Sequence, residues 1–466
     1  MRYILDANKE SLKGLNLQEG LVKKFLSVSL IIFLISPVYI FAANTDADAY
    51  YHRGNAKANL GDYAGAIRDY NKAQEFDPKD VSTYCMRGIA KYAIGDIQGA
   101  IQDYNTAIEL NPKFASAYCL LGNAKGDGLG DYTSAIKDYN KAIELNPKYA
   151  DAYCRRGGAK NHLNDYAGAI KDFDKTIEIN PNLSVAYDSR GIARDELGNY
   201  KSAVEDYNKA IELNPKDEQA YCNRGLAEDE LGNYTSAIND YNKAIGLNPK
   251  DKVAYCSRGG TKYKLNDYTG AINDYSKAIT FDPNYRDAYC NRANAKFHLG
   301  DYTGVIKDYN KAIELNPKDA RVYCNRGDAK YHIGDYADAI NDDNKALELD
   351  PKLPQAYYNR GIDKAKLSDY TGAINDFNKA IELDPTFEAA YCNRGLVEGR
   401  LDDHTGAIKD FNKAIELNSK DAAAYYGSGL VKFKLGDKAG AIKDLKKASA
   451  LGDKQADEMI KMIQLK

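Results

Sequence analysis

Eight cysteines, Cys85, Cys119, Cys154, Cys222, Cys256, Cys290, Cys324 and Cys392, each stand directly after a tyrosine. An even number of thiols can pair as disulfides, or join histidines around a soft metal. The spacing opposes both. If helices separate neighbouring members, they lie on the order of 10 Å apart, whereas a bridge needs Cα atoms within about 7 Å. No C-x-x-C pair occurs, and no histidine accompanies the cysteines. They read as free thiols or small apolar fillers, with a redox or soft-metal column as the alternative. Of the five histidines, His52, His162, His298, His332 and His404, three (His162, His298, His332) recur at one place near the end of a predicted helix. No H-E-x-x-H, G-x-S-x-G or phosphate-loop sequence is present, and the carboxylates are interleaved with lysine and arginine. The reading is a non-enzyme that needs no cofactor and no metal.

Two further patterns carry chemistry. Arginine recurs in ten units from Arg53 to Arg394, each with an aspartate sixteen residues on, as in Arg224 with Asp240 and Arg326 with Asp342, and that aspartate recurs in all twelve units from Asp69 to Asp444. On facing helices such pairs form charge-assisted struts. Asparagine recurs after the cysteine, at Asn223, Asn291, Asn325, Asn359 and Asn393. Its amide donates and accepts at once, which suits recognition of a peptide main chain.

These positions imply regular elements. The stretch Glu218 to Asp251 is nearly copied along the chain, and a shift of 34 residues superimposes twelve units over 47–455, one of them a residue longer. Within it, Asp217 caps a helix from Glu218 to about Leu231, Gly232 and Asn233 turn the chain, and Asn233 caps a second helix ending near Leu247. Pro249 then prevents continuation. The unit is helix, turn, helix, turn, and self-similarity at this period marks a stacked array.

The unit resembles the tetratricopeptide repeat, on Tyr221, Arg224, Gly225, Glu228, Ala237, Tyr241 and Pro249, with tyrosine in the tryptophan place. The resemblance implies an all-α fold, a right-handed superhelical solenoid of stacked helix-turn-helix repeats. It also implies a groove lined by first helices that takes a protein or an extended peptide. The asparagines resemble the ladder by which the repeat arm of O-linked N-acetylglucosamine transferase holds a peptide backbone. Groove places also fall on Cys222, Cys290, Cys324, Tyr263, Phe297 and Tyr331. The departure from the pattern is arginine where leucine is usual, which moves the framework toward ion pairs.

Composition bounds the partners. Lys plus Arg is 64, Asp plus Glu is 67, and the net charge is −3, with both signs mixed throughout and no basic stripe, so no nucleic-acid groove is expected. Residues 1–20 form a polar arm, possible only if translation starts at Met1 rather than near Leu21. Residues 21–43 combine Lys23 and Lys24, an apolar run from Phe25 to Phe41 and the small Ala42 and Ala43, reading as a secretory signal peptide of an exported bacterial protein. An uncleaved anchor is the alternative and the one membrane contact expected. Either places the array outside the cytoplasm: periplasmic, secreted, or anchored facing outward. In the third unit Gly126, Asp127 and Gly128 accompany the extra residue, read as a bulge or a hinge. Residues 456–466 put Met459, Ile460 and Ile463 on one face as a capping helix. The expected function is a protein-interaction scaffold, with self-stacking assembly of the cell envelope as the alternative.

Overall fold

The computed structural model describes residues 45–465, which form 25 helices and no strand among the described residues. The expectations for residues 1–20 and 21–43 lie outside that range. Among the described residues no helix is long and apolar enough to cross a membrane.

The helices come in pairs, followed by a last single helix. In the pair Glu218–Glu230 and Tyr234–Leu247, the Asp217 carboxylate accepts from the amides of Gln219 and Ala220, giving orphan N–H groups a partner. Gly232 then adopts φ +78, the left-handed conformation that ends a helix without a Cβ clash. Asn164, Asn266, Ser368 and Asp402 take the same conformation where other pairs have glycine. One expectation is corrected at this turn. Asn233 makes no side-chain cap; its Nδ2 donates to Glu228 Oε2 at 2.6 Å. Asn199, at the same place one pair earlier, makes no cap either. The aspartates at the same place do cap, as Asp301 does on the amide of Gly304 at 2.9 Å.

Packing follows from residue size. Ala237, Tyr241 and Ala244 are fully buried, and a Cβ on Gly225 would lie 2.8 Å from Tyr241 Cε1. The ring therefore rests on the bare backbone of the first helix, and its burial contributes roughly 1.5–3 kcal/mol. Within a compact unit each pair also packs on the next, as Tyr241 and Cys222 do around Ala254. The fold is a solenoid of stacked helix-turn-helix repeats.

The described residues fall into two compact units, one ending at Thr261 and the other beginning at Lys262. In the first, the extra residue makes no bulge: Ala115–Leu129 is one continuous helix of 15 residues against 13 in Glu218–Glu230, two residues longer because the turn after it is also one residue shorter. In the second, the final helix Lys454–Leu465 buries Ala456 and Ile463 against Ala441, Leu445 and Ala448, with Met459 and Ile460 alongside.

Candidate functional site

The first helix of each pair carries the recurring polar side chains. Arg224 Nε and Nη2 donate to Asp240 Oδ2 and Oδ1 at 2.8 and 2.6 Å, a fork on a carboxylate only 6% exposed. Arg326 grips Asp342 in the same way at 2.9 and 2.5 Å, and Lys330 adds a second cation at 2.9 Å. The guanidiniums also lie over their own helix's tyrosines, at 5.6 Å for Tyr221 and 5.4 Å for Tyr323. Carboxylate, guanidinium and ring are thus locked into one framework element.

Seven of the eight cysteines are buried and do not line a surface. Cys222 is 1% and Cys324 3% exposed, both inside apolar clusters, and Cys290 is half-buried. All eight are free thiols, and burial carries those of Cys85, Cys154 and Cys290 up to about 12. The groove-lining expectation for Cys222 and Cys324 is therefore corrected: the side chain is small and apolar enough for the first helix to turn it inward. Among the described residues no group of three metal-ligating side chains converges.

The asparagines face the neighbouring pair. Asn223 is buried and donates to Asp188 Oδ1 at 3.1 Å, Asn359 donates to Cys324 Sγ at 3.4 Å, and Asn393 to the Tyr358 hydroxyl at 3.1 Å. In all three the acceptor stands at the cysteine place of the preceding pair. Asn291 is buried as well, and Asn325 is half-buried beside the Tyr309 hydroxyl. The amide that suits a peptide main chain is occupied by a rung between stacked repeats.

Open surface remains at the ends of the first helices of the second unit. Tyr263, Phe297 and Tyr331 are half-buried, and His298 and His332 are exposed. His298 stacks on Tyr268 at 4.5 Å with 2° between planes, and His332 on Tyr302 at 4.5 Å with 4°. The Tyr263 hydroxyl lies 2.8 Å from His298 Nε2, Phe297 meets His332 edge-on at 5.2 Å, and Lys366 Nζ sits 5.7 Å over Tyr331. Rings and basic groups alternate along this stripe. At the place of Tyr263 the two preceding pairs carry Asp195 and Asp229.

The sequence matches the family described as TPR repeat over residues 88–127, 129–161, 193–228, 259–300, 293–334, 327–362 and 400–436. The description tetratricopeptide repeat matches over 47–80, 150–183, 218–251 and 354–387, and again over 422–451. The chain belongs to the tetratricopeptide repeat family. Proteins of this family are interaction scaffolds, typically without catalytic chemistry of their own.

The tetratricopeptide array is similar to several solved structures. Yeast Tom70 is 20% identical, with 90% of this chain and 96% of that one covered and a TM-score of 0.40. The Cut9–Hcn1 hetero-tetramer of APC/C is 16% identical, with 90% and 96% covered and a TM-score of 0.47. A tetratricopeptide repeat protein from Parabacteroides merdae is 22% identical, with 54% and 100% covered and a TM-score of 0.43. No curated protein matches the chain.

In the pair with the long helix, where Leu121 stands in place of the strut arginine, Lys125 reaches Asp138 at 2.8 Å. Sequence reasoning missed a second feature of the tetratricopeptide framework here. Nearby, Arg155 occupies the asparagine place, 7% exposed, with Nε 2.9 Å from Asp151 and Nη1 3.9 Å from Asp127. The available signal was an arginine at an asparagine place, one pair after an out-of-pattern aspartate.

Proposed function

We propose that the chain is an exported, non-enzymatic scaffold of twelve tetratricopeptide repeats that binds an extended segment of a partner protein along its first helices. One observation carries the reading: the stripe built on Tyr263, Phe297 and Tyr331, where half-buried rings stand beside exposed His298 and His332 and beside Lys366. Rings already fixed by stacking lose little conformational freedom on binding, and large aromatic anchors of this kind dominate interface energetics. The asparagine rungs and arginine struts set the spacing of the rings and do not themselves contact the partner. Export is supported by Lys23, Lys24, the apolar Phe25–Phe41 run and the small Ala42 and Ala43.

The test is capture from cell envelopes after mild crosslinking, with the bound protein identified by mass spectrometry. Replacing Tyr263, Phe297 and Tyr331 by alanine together is expected to weaken retention of that protein by ten-fold or more, on the order of a single hot spot, with the helical circular dichroism unchanged. Recovery of the chain alone, unaffected by the triple substitution, would favour self-stacking assembly over partner binding.

A further inference from the structure

In the second helices a ring usually rests on the glycine of the first, as Phe377 does on Gly361 and Tyr241 on Gly225. The helix Tyr336–Leu349 breaks this rule. It carries Asp343 where its neighbours carry a ring, and the atoms nearest a Cβ on Gly327 are Ala339 O at 3.3 Å and the Asp343 carboxylate at 3.5 Å. Asp343 is 0% exposed, and its carboxyl meets the buried Cys324 thiol, a weak donor, in place of any nitrogen or hydroxyl partner. Asp363, on the next helix Pro354–Lys366, is 1% exposed and leaves Oδ1 without a partner.

No cation around this pair bonds to either carboxyl, and the nearest charges are committed elsewhere. Asp342 is held by Arg326 and Lys330. Arg360, the cation nearest Asp343 in charge, has its fork on Asp376 and its third nitrogen on Asn344. On the helix Ala320–His332, Asp328 acts on Asp363 as a further negative charge and has His332 Nε2 at 3.7 Å, and the buried Cys324 thiol neighbours Asp343. An ionised carboxylate buried without a partner costs far more than a neutral acid, and two such groups close together oppose each other's ionisation.

We propose that Asp343 and Asp363 form a buried proton-binding pair that makes the packing of Tyr336–Leu349 against Pro354–Lys366 a pH-controlled joint, closed by protons and loosened as they leave. Because each repeat packs only on its neighbours, one joint can open while the rest of a solenoid stays folded. Burial, then the charge of Asp363, raises Asp343 to about 9; burial, then Asp328, raises Asp363 to about 7. In an opened joint both carboxyls return to the ordinary range near 4. Opening therefore releases protons, and rising pH favours it. Asp363 is ionised first, and between pH 7 and 9 the remaining proton on Asp343 makes the opening equilibrium rise roughly ten-fold per pH unit.

Hydrogen exchange of the full chain, read by mass spectrometry at about pH 6, 7.5 and 8.5 and corrected for intrinsic exchange, tests this. Peptides within 336–366 are expected to gain opening by roughly ten-fold per unit above pH 7, while peptides within 218–247 keep a constant value. Asp343→Asn keeps the side-chain size and is expected to abolish the rise above pH 7, leaving only what Asp363 contributes below it; Asp343→Tyr restores the ring and is expected to do the same and slow exchange as well. Should Asp343→Tyr fail to fold, Asp343→Asn alone decides. A flat profile in the parent chain, a slope above pH 7 that survives Asp343→Asn, or suppression of the slope by added calcium or zinc, which would make the pair a cation site, each overturns the proposal.

Discussion

Arg224 holds Asp240 of its own helix pair with two nitrogens, and with the third it holds Asn208 Oδ1 of the preceding pair at 2.6 Å. One side chain thus ties the two helices of a repeat together and ties that repeat to its neighbour. The arrangement recurs with Arg156 on Asp172 and Asn140, and with Arg326 on Asp342 and Asn310. It converts a partly buried charge pair, whose net gain over an apolar pair is small, into a device that fixes register.

The cost of breaking the strut should depend on what remains for the aspartate. Asp308 keeps Lys296 at 2.8 Å after Arg292→Ala, whereas in the Arg224 pair the lysine place holds Glu228. Arg224→Ala is expected to cost about 2–3 kcal/mol, discounted from a fully buried pair for partial exposure, and Arg292→Ala about half of that. Urea unfolding measures both, and a double-mutant cycle of Arg224 with Asp240 measures the coupling. Equal losses for the two arginines, or zero coupling, would rule out this account.

Glycine under a ring should not tolerate a methyl group. Gly225→Ala brings a Cβ to 2.8 Å from Tyr241 Cε1 and is expected to cost roughly 1–3 kcal/mol by overpacking. Gly327, where Asp343 replaces the ring, meets nothing closer than 3.3 Å. There the helix propensity of alanine, worth up to about 1 kcal/mol, offsets the tighter contact, so Gly327→Ala should fall clearly below Gly225→Ala in thermal-melt comparisons.

Acid should loosen the first strut of the array. Hydrogen bonds from Arg53, and then from Lys57, hold Asp69 down to about 2 against the opposing effect of burial. Its folded value lies below its unfolded value near 3.9, so the stabilisation is complete above about pH 4 and is lost as pH falls through about 2. Asp69→Asn is expected to be less stable than the parent at pH 5 and to approach it near pH 2. A constant gap in melting temperature across that window would refute the assignment.

The thiols should be inert in the folded chain. Burial raises Cys85, Cys154 and Cys290 to about 12, and Cys119, Cys222, Cys324 and Cys392 also stand above the usual thiol range. Ellman's reagent at about pH 8 is expected to react slowly with the native protein, fastest at the half-buried Cys290, and with all eight thiols in guanidinium. Rapid native labelling of several thiols would show that the cysteine column opens to solvent.

Much of the fold was legible because the sequence repeats its own instructions. Asp217, Gly232 and Pro249 delimit two helices to within a residue of their ends in the structure, since caps, left-handed turns and proline act locally. The candidate site was less legible. Asn223 looked like a peptide-holding group but reaches Asp188, 35 residues back, and His332 stacks on Tyr302, 30 residues back. Cys222 looked like groove surface and is core. Nothing in one repeat says which residues of the neighbouring repeat it will meet.

By itself, then, the sequence determined the helix pairs and the partner sixteen residues ahead of each strut arginine, because facing helices joined by a tight turn leave Asp240 opposite Arg224. It did not determine the partner sixteen residues behind, Asn208, nor the asparagine rungs, the histidine–tyrosine stacks or the uncompensated burial of Asp343 beside Asp363. Those depend on how far one repeat is displaced and rotated on the next. That offset is fixed only when alanines, glycines and rings interlock in the tertiary structure.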